Sequence, residues 1–216
     1  MNALPPLYLA SASPQRRDIL GELGLAFTVV STAGVAEVLL DDPAATVREN
    51  AKRKAVGASL PSPGVDGLVI GADTVMVAAD GSILGKPETP ERAAEYLRRI
   101  SGTSVRVCTG IAAWDPSAGR GAAAVAWSAA KLKSMTEADI TWYMATGEPL
   151  DRAGAFGISR RGEIFVETLA GEYSCFAGLP KRSFYAVLGA LLPGHPALPP
   201  DDDGEIAVEI FTAPQA

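Results

Sequence analysis

The chain has 216 residues, a formal net charge of −6, 48% hydrophobic and 20% charged residues, two cysteines and one histidine. That composition belongs to a globular protein with one sizeable core or two small lobes, and its acidity opposes long-range attraction to nucleic acid. Cys108, Cys175 and His195 lie far apart without metal-ligand spacing, which argues against a zinc site or histidine-based catalysis.

The opening MNALPPLYLAS has no basic stretch and is broken by prolines. Neither a signal peptide nor a membrane span is expected, and the default compartment is the cytoplasm. Leu7 to Ala10 reads as a short strand that runs through Ser11-Ala12-Ser13-Pro14 into a helix with Ser13 as N-cap, Pro14 at its first position and Gly24 as its stop. LAFTVVST reads as a second strand, and Asp42-Pro43 opens a helix through about Ser59. A buried strand, LVIGADTVMV, leads into a hairpin around Asp80-Gly81. Thr89-Pro90 caps a helix that ends at Gly102, and two β-rich runs follow at Val105 to Trp114 and Ala122 to Lys133. Thr136 and Asp139 approach a capping box for a helix ending by Gly147. GEPLDRAGAFGIS reads as a loop, Glu163 to Leu169 as a strand, and a last helix follows Pro180. No internal repeat is visible. The alternation predicts an α/β protein with a mixed sheet. The Pro- and Asp-rich residues 193–216 read as a tail, partly disordered, in which EIAVEIF could add an edge strand.

Several residues could carry chemistry. An acidic chain that handles phosphate must meet it with clustered cations. Ser11, Ser13, Arg16 and Arg17 sit at a strand-to-helix turn, where backbone N–H groups, the helix dipole and guanidinium groups can converge on phosphate oxygens. The plain alternative is a capping serine beside solvated arginines. Asp73 shares a strand face with Val69, Val75 and Val77, where an isolated carboxylate costs several kcal/mol unless something compensates it. Lys54 falls on the small apolar stripe Val47, Ala51, Ala55 and Ala58, whereas Lys52 and Arg53 point elsewhere. It either serves a site or snorkels to water. Lys86, in Gly85-Lys86-Pro87, has the same ambiguity, and Glu37 is uninformative by itself. Two carboxylates, two lysines and a basic turn are the ingredients of metal-assisted attack on a polyphosphate.

Taken in order, LASASPQRRDIL, the Glu37 loop, AKRKA, GADTVM, GKP, LRRISG, VCTGIA, EPLDRAGAFGI and AGLP resemble the signature of the Maf family of nucleotide pyrophosphatases. The resemblance covers 1–192 as one catalytic domain. It implies an elongated α/β fold similar to the inosine-triphosphate pyrophosphatases, with two lobes around a cleft and often a homodimer. The implied reaction takes a nucleoside triphosphate to the monophosphate and pyrophosphate with Mg²⁺ or Mn²⁺. Carried over by position, Asp73 would be the catalytic carboxylate, and Glu37 and Asp73 would hold the metal. Ser11, Arg16, Lys54 and Lys86 would grip the phosphates, with Ser13 and Arg17 shaping the turn. The positions tied to base choice in the family read Gln15, Thr74 and Ser159. Thr74 and AGAFGI favour the dTTP/UTP group over the 7-methyl-GTP group, whereas Gln15 and Ser159 match neither. The family's link to septum formation and cell division leaves a non-catalytic nucleotide-binding regulator as the rival reading, and a phosphatase releasing orthophosphate as a third.

Overall fold

A computed structural model describes residues 4–62, 65–196 and 206–213. In it β1 (Leu7–Ala10) runs parallel to both β2 (Phe27–Val29) and β3 (Leu68–Val77), as expected of strands joined by crossover helices. Among the described residues the strands make one eight-stranded mixed sheet in the order β2-β1-β3-β5-β6-β7, with β5 at Ser104–Asp115, β6 at Arg120–Leu132 and β7 at Val166–Ala170. Two further strands pair off this path: β4 (Ile83–Leu84) with β3, and β8 (Val208–Thr212) with β6. No helix among the described residues is long and apolar enough to cross a membrane.

The chain divides into two compact units. The first comprises Met1–Asp73, Thr109–Ala126 and Gly178–Ala216, the second Thr74–Cys108 and Trp127–Ala177. In the first, β1 turns into α1 (Pro14–Glu22), β2 leads to α2 (Pro43–Gly57), and α6 (Lys181–Leu191) follows the AGLP turn. Asp42 caps α2 by accepting from the backbone N–H groups of Ala44 and Ala45. The core between α2 and the strands is built of small residues, Ala51 and Ala55 against Ala10, Val69, Ala112 and Ala123. Two glycines bring the helix closer still: a Cβ on Gly71 would lie 2.2 Å from the Ala51 carbonyl oxygen, and one on Gly110 would lie 2.3 Å from that of Val47. Here α2 therefore rests backbone to backbone on β3 and β5.

The second unit holds α3 (Pro90–Ile100), which buries Ala93, Leu97 and Ile100, and α4 (Glu137–Ala145), whose start is a complete Thr136/Asp139 capping box. Residues expected to be loop and strand between 148 and 165 instead form tight 3-10 turns at Glu148–Asp151, Ala153–Ala155 and Arg160–Phe165, and β7 begins only at Val166. The cause is local. A Cβ on Gly162 would lie 2.1 Å from the Gly157 carbonyl oxygen and 2.7 Å from the Tyr143 hydroxyl, so the chain is folded tightly on itself before it can extend. A short helix, α5 (Tyr173–Phe176), also went unforeseen.

Of the expected tail, residues 197–205 and 214–216 lie outside the described residues. The VEIF end of EIAVEIF, with Thr212, supplies β8, antiparallel to β6 with Glu209 opposite Ala123 and Phe211 opposite Gly121.

Candidate active site

The parallel register sets Ala10 of β1 beside Gly71 of β3. Ser11 thus leaves β1 abreast of Ala72, one residue short of Asp73, at the carboxyl end of β1 where open α/β sheets receive ligands. Ser11 is buried, and its Oγ accepts both the Ser13 backbone N–H at 3.2 Å and Arg16 Nη1 at 3.0 Å. Arg16 Nε donates to the Gly178 carbonyl oxygen at 2.8 Å, which ties the turn to the AGLP segment and fixes the guanidinium plane. Ser13 occupies the N-cap position of α1 but does not cap with its side chain; its hydroxyl donates to Gln15 Oε1 at 2.8 Å. Arg17 is exposed. A helix start directs its opening N–H groups back along the axis, so this turn can receive an anion.

Asp73 is 8% exposed, and its compensation is explicit. Lys54 Nζ donates to Asp73 Oδ1 at 2.8 Å, and Asn50 Nδ2 donates to Asp73 Oδ2 at 2.9 Å. Asn50 and Lys54 are one turn apart on α2, so a single helix face serves both carboxylate oxygens. The Lys54 side chain is only 11% exposed and does not snorkel to bulk water; it also reaches Glu37 Oε1 at 2.9 Å. Two carboxylates thereby share one ammonium, and Glu37, at 57% side-chain exposure, is the solvent-facing member.

Asn50 is a site residue that the sequence reading missed. It is 2% exposed, and besides holding Asp73 it donates to the Val38 carbonyl oxygen at 3.0 Å and accepts from the Val38 N–H at 2.8 Å. That bidentate grip pins the segment next to Glu37. A signal was available: Asn50 lies three residues after Val47 and four before Lys54, on the same stripe.

Lys86, Thr74 and Ser159 belong to the second unit. Thr74 is half-buried and follows Asp73 directly along β3. Lys86 is exposed and forms an ion pair with Asp151. Arg152 is buried, crosses Gly157 so closely that a Cβ there would lie 2.4 Å from its Nη1, and directs that nitrogen toward Ser159 Oγ at 3.5 Å. Tyr143 accepts from the Gly157 N–H at 3.2 Å, and burial pushes its hydroxyl up to about 12.

As possible metal ligands, Asp73 and Glu37 are hard oxygen donors that already converge on one cation. Among the described residues no group of three or more His, Cys, Asp or Glu forms a cage. Two carboxylates suit an ion such as Mg²⁺, which keeps waters and takes further oxygens from phosphates.

Comparison with known proteins adds the following. A family model described as Maf-like protein matches residues 6–191. The dTTP/UTP pyrophosphatase of Moorella thermoacetica is 42% identical over 177 residues, covering 81% of this chain and 89% of that protein. The dTTP/UTP pyrophosphatase of Salinibacter ruber is 42% identical over 189 residues, covering 86% and 90%. Among solved structures, the Staphylococcus aureus Ham1 protein is similar with a TM-score of 0.47 and 12% identity, over 88% of this chain and 98% of that chain.

Proposed function

Because the chain belongs to the Maf-like family, we propose that it hydrolyses nucleoside triphosphates, dTTP and UTP foremost, to the monophosphate and pyrophosphate. The observation that carries this reading is the buried Asp73 carboxylate held by Lys54 and Asn50, with Glu37 on the same ammonium. Residues 1–192 are taken as the catalytic domain, in line with the family match over 6–191.

In this reading Asp73 accepts the proton of the attacking water. The hydrogen bond from Asn50 and the ion pair with Lys54 fix its orientation, so that the base is in place before substrate arrives. The Lys54 ammonium has three donors; two point at Asp73 and Glu37, and the third is assigned to a phosphate oxygen. Ser11 and Arg16, with Ser13 and Arg17 shaping the turn, and the opening N–H groups of α1 neutralise the polyphosphate, and Lys86 exchanges Asp151 for phosphate. Glu37 and Asp73 are the residues that would hold Mg²⁺ or Mn²⁺, which when bound supplies charge neutralisation and a more acidic water. Catalysis of this kind needs mainly positioning and electrostatics, which suits a site without cysteine or histidine.

Base preference rests on Thr74, Gln15 and Ser159. Thr74 keeps the residue type of the dTTP/UTP group, while the Gln15 amide oxygen is engaged by Ser13 and the Ser159 hydroxyl stands next to Arg152. The test is product analysis with dTTP, UTP and 7-methyl-GTP in the presence of Mg²⁺ or Mn²⁺. Pyrophosphate plus monophosphate from dTTP or UTP is the expected result. Orthophosphate, or nucleotide binding without turnover, would overturn the reaction. Turnover of 7-methyl-GTP alone would overturn the base assignment.

A further inference from the structure

β8 lies beyond the residues matched to the family and yet is built into the first unit. Phe211 stacks on Trp114 with ring centroids 5.8 Å apart and an interplanar angle of 21°. Gly121, opposite it on β6, makes room: a Cβ there would lie 2.4 Å from the Phe211 ring. From α2, Lys52 places its ammonium 5.1 Å from the Phe211 ring centroid and also binds the Glu209 carboxylate, which Arg48 Nε meets at 3.6 Å. Arg48 and Lys52 are one turn apart, as are Asn50 and Lys54, and the two pairs are offset by two residues. At about 100° per residue, an offset of two puts them on nearly opposite sides of α2. One side of the helix holds Asp73, and the other is held by β8.

We propose that Glu209 and Phe211 are positioning residues for the reaction, acting through α2 to set Asn50 and Lys54 against Asp73. The inference rests on the reading of Asp73 as the catalytic base. Two-sided attachment resists rotation of α2 about its axis. That motion would separate Asn50 and Lys54 from the carboxylate, and small misplacements of catalytic groups are costly.

The test uses the full chain with Glu209→Lys, Lys52→Glu and the exchanged pair carrying both. Pyrophosphate-release kinetics are read together with amide hydrogen exchange in α2. Both single variants reverse a charge at the strand–helix contact, on exposed Glu209 or half-buried Lys52, and neither residue belongs to the buried core. Each is expected to lower kcat about twofold to fivefold, the range of an exposed ion pair, with KM little changed and α2 amides exchanging faster. The exchanged pair should recover part of both effects, since it restores the ion pair between positions 52 and 209 but neither the Arg48 contact nor the cation over the Phe211 ring. Unchanged kcat in the single variants, or failure of the exchanged pair to recover it, overturns the proposal. If the wild-type chain releases no pyrophosphate, the proposed function falls, and the exchange data decide the attachment alone: unaltered α2 protection in Glu209→Lys overturns it.

Discussion

Asn50 joins Asp73 to the Glu37 loop: one amide nitrogen donates to Asp73 Oδ2 at 2.9 Å and to the Val38 carbonyl oxygen at 3.0 Å, while its oxygen accepts from the Val38 N–H at 2.8 Å. The two carboxylates of the candidate site are therefore connected twice, through the Lys54 ammonium and through this amide. A buried carboxylate with an ion pair and a second donor is both tolerated and oriented.

Asn50→Ala removes the amide link, leaves the Lys54 link in place, and deprives Asp73 Oδ2 and the Val38 N–H and carbonyl of that partner. The expected cost is about 1–2 kcal/mol in stability, from the lost bond to buried Asp73 and the part-buried bonds to Val38. Turnover should fall roughly tenfold or more, as expected when a catalytic group loses its orientation. Urea unfolding and pyrophosphate release check the two effects separately.

Gly71→Ala tests the close approach of α2. Its Cβ would stand 2.2 Å from a backbone oxygen that has no rotamer through which to yield, so the helix must move. Destabilisation of about 1–3 kcal/mol and reduced turnover are expected. Gly21→Ala in α1 is the control, since a Cβ there meets nothing within 4 Å. It should gain about 0.5–1 kcal/mol from helix propensity and keep its turnover.

Tyr143 gives an alkaline signature. Its hydroxyl is pushed up to about 12 by burial, from the ordinary 10.0 of a tyrosine. The folded state therefore favours the neutral form, and the unfolded chain ionises first. The contribution is fully present below pH 10 and is lost as the pH climbs toward 12, amounting to about 3 kcal/mol. Tyr143→Phe should be less stable at neutral pH by about 1 kcal/mol, because the Gly157 N–H loses its acceptor. Its stability should fall less steeply above pH 10. Denaturant unfolding at pH 7.5 and pH 11 measures both, and equal slopes for the two proteins would contradict the assignment.

Much of this arrangement was legible in the sequence because it rests on local rules. Asp42, Thr89 and Thr136 cap helices at the positions their residue types announce, and the greasy surroundings of Asp73 demanded a partner. Asn50 escaped notice because an asparagine inside a helix of mixed charge looks like a solvated residue until its stripe is drawn through Val47 and Lys54. Ser13 looked like a cap, yet its hydroxyl turns to Gln15 instead. The turns from 148 to 165 were unreadable for a different reason. Ala155 and Arg160 adopt φ values of 57° and 58°, a left-handed conformation that no local preference of alanine or arginine predicts and that tertiary packing must impose. In β8 the alternation of EIAVEIF was visible, but its partner β6 and its grip on α2 depend on residues far away in the chain.

The most direct test is Asp73→Asn, assayed for pyrophosphate release from dTTP and UTP beside a measurement of folding. The amide keeps the size of the side chain and removes its basicity. The expected result is a folded protein whose kcat is lower by on the order of a thousandfold. A folded Asp73→Asn variant with kcat within about tenfold of the parent, below the usual contribution of a general base, would contradict the role given to this carboxylate.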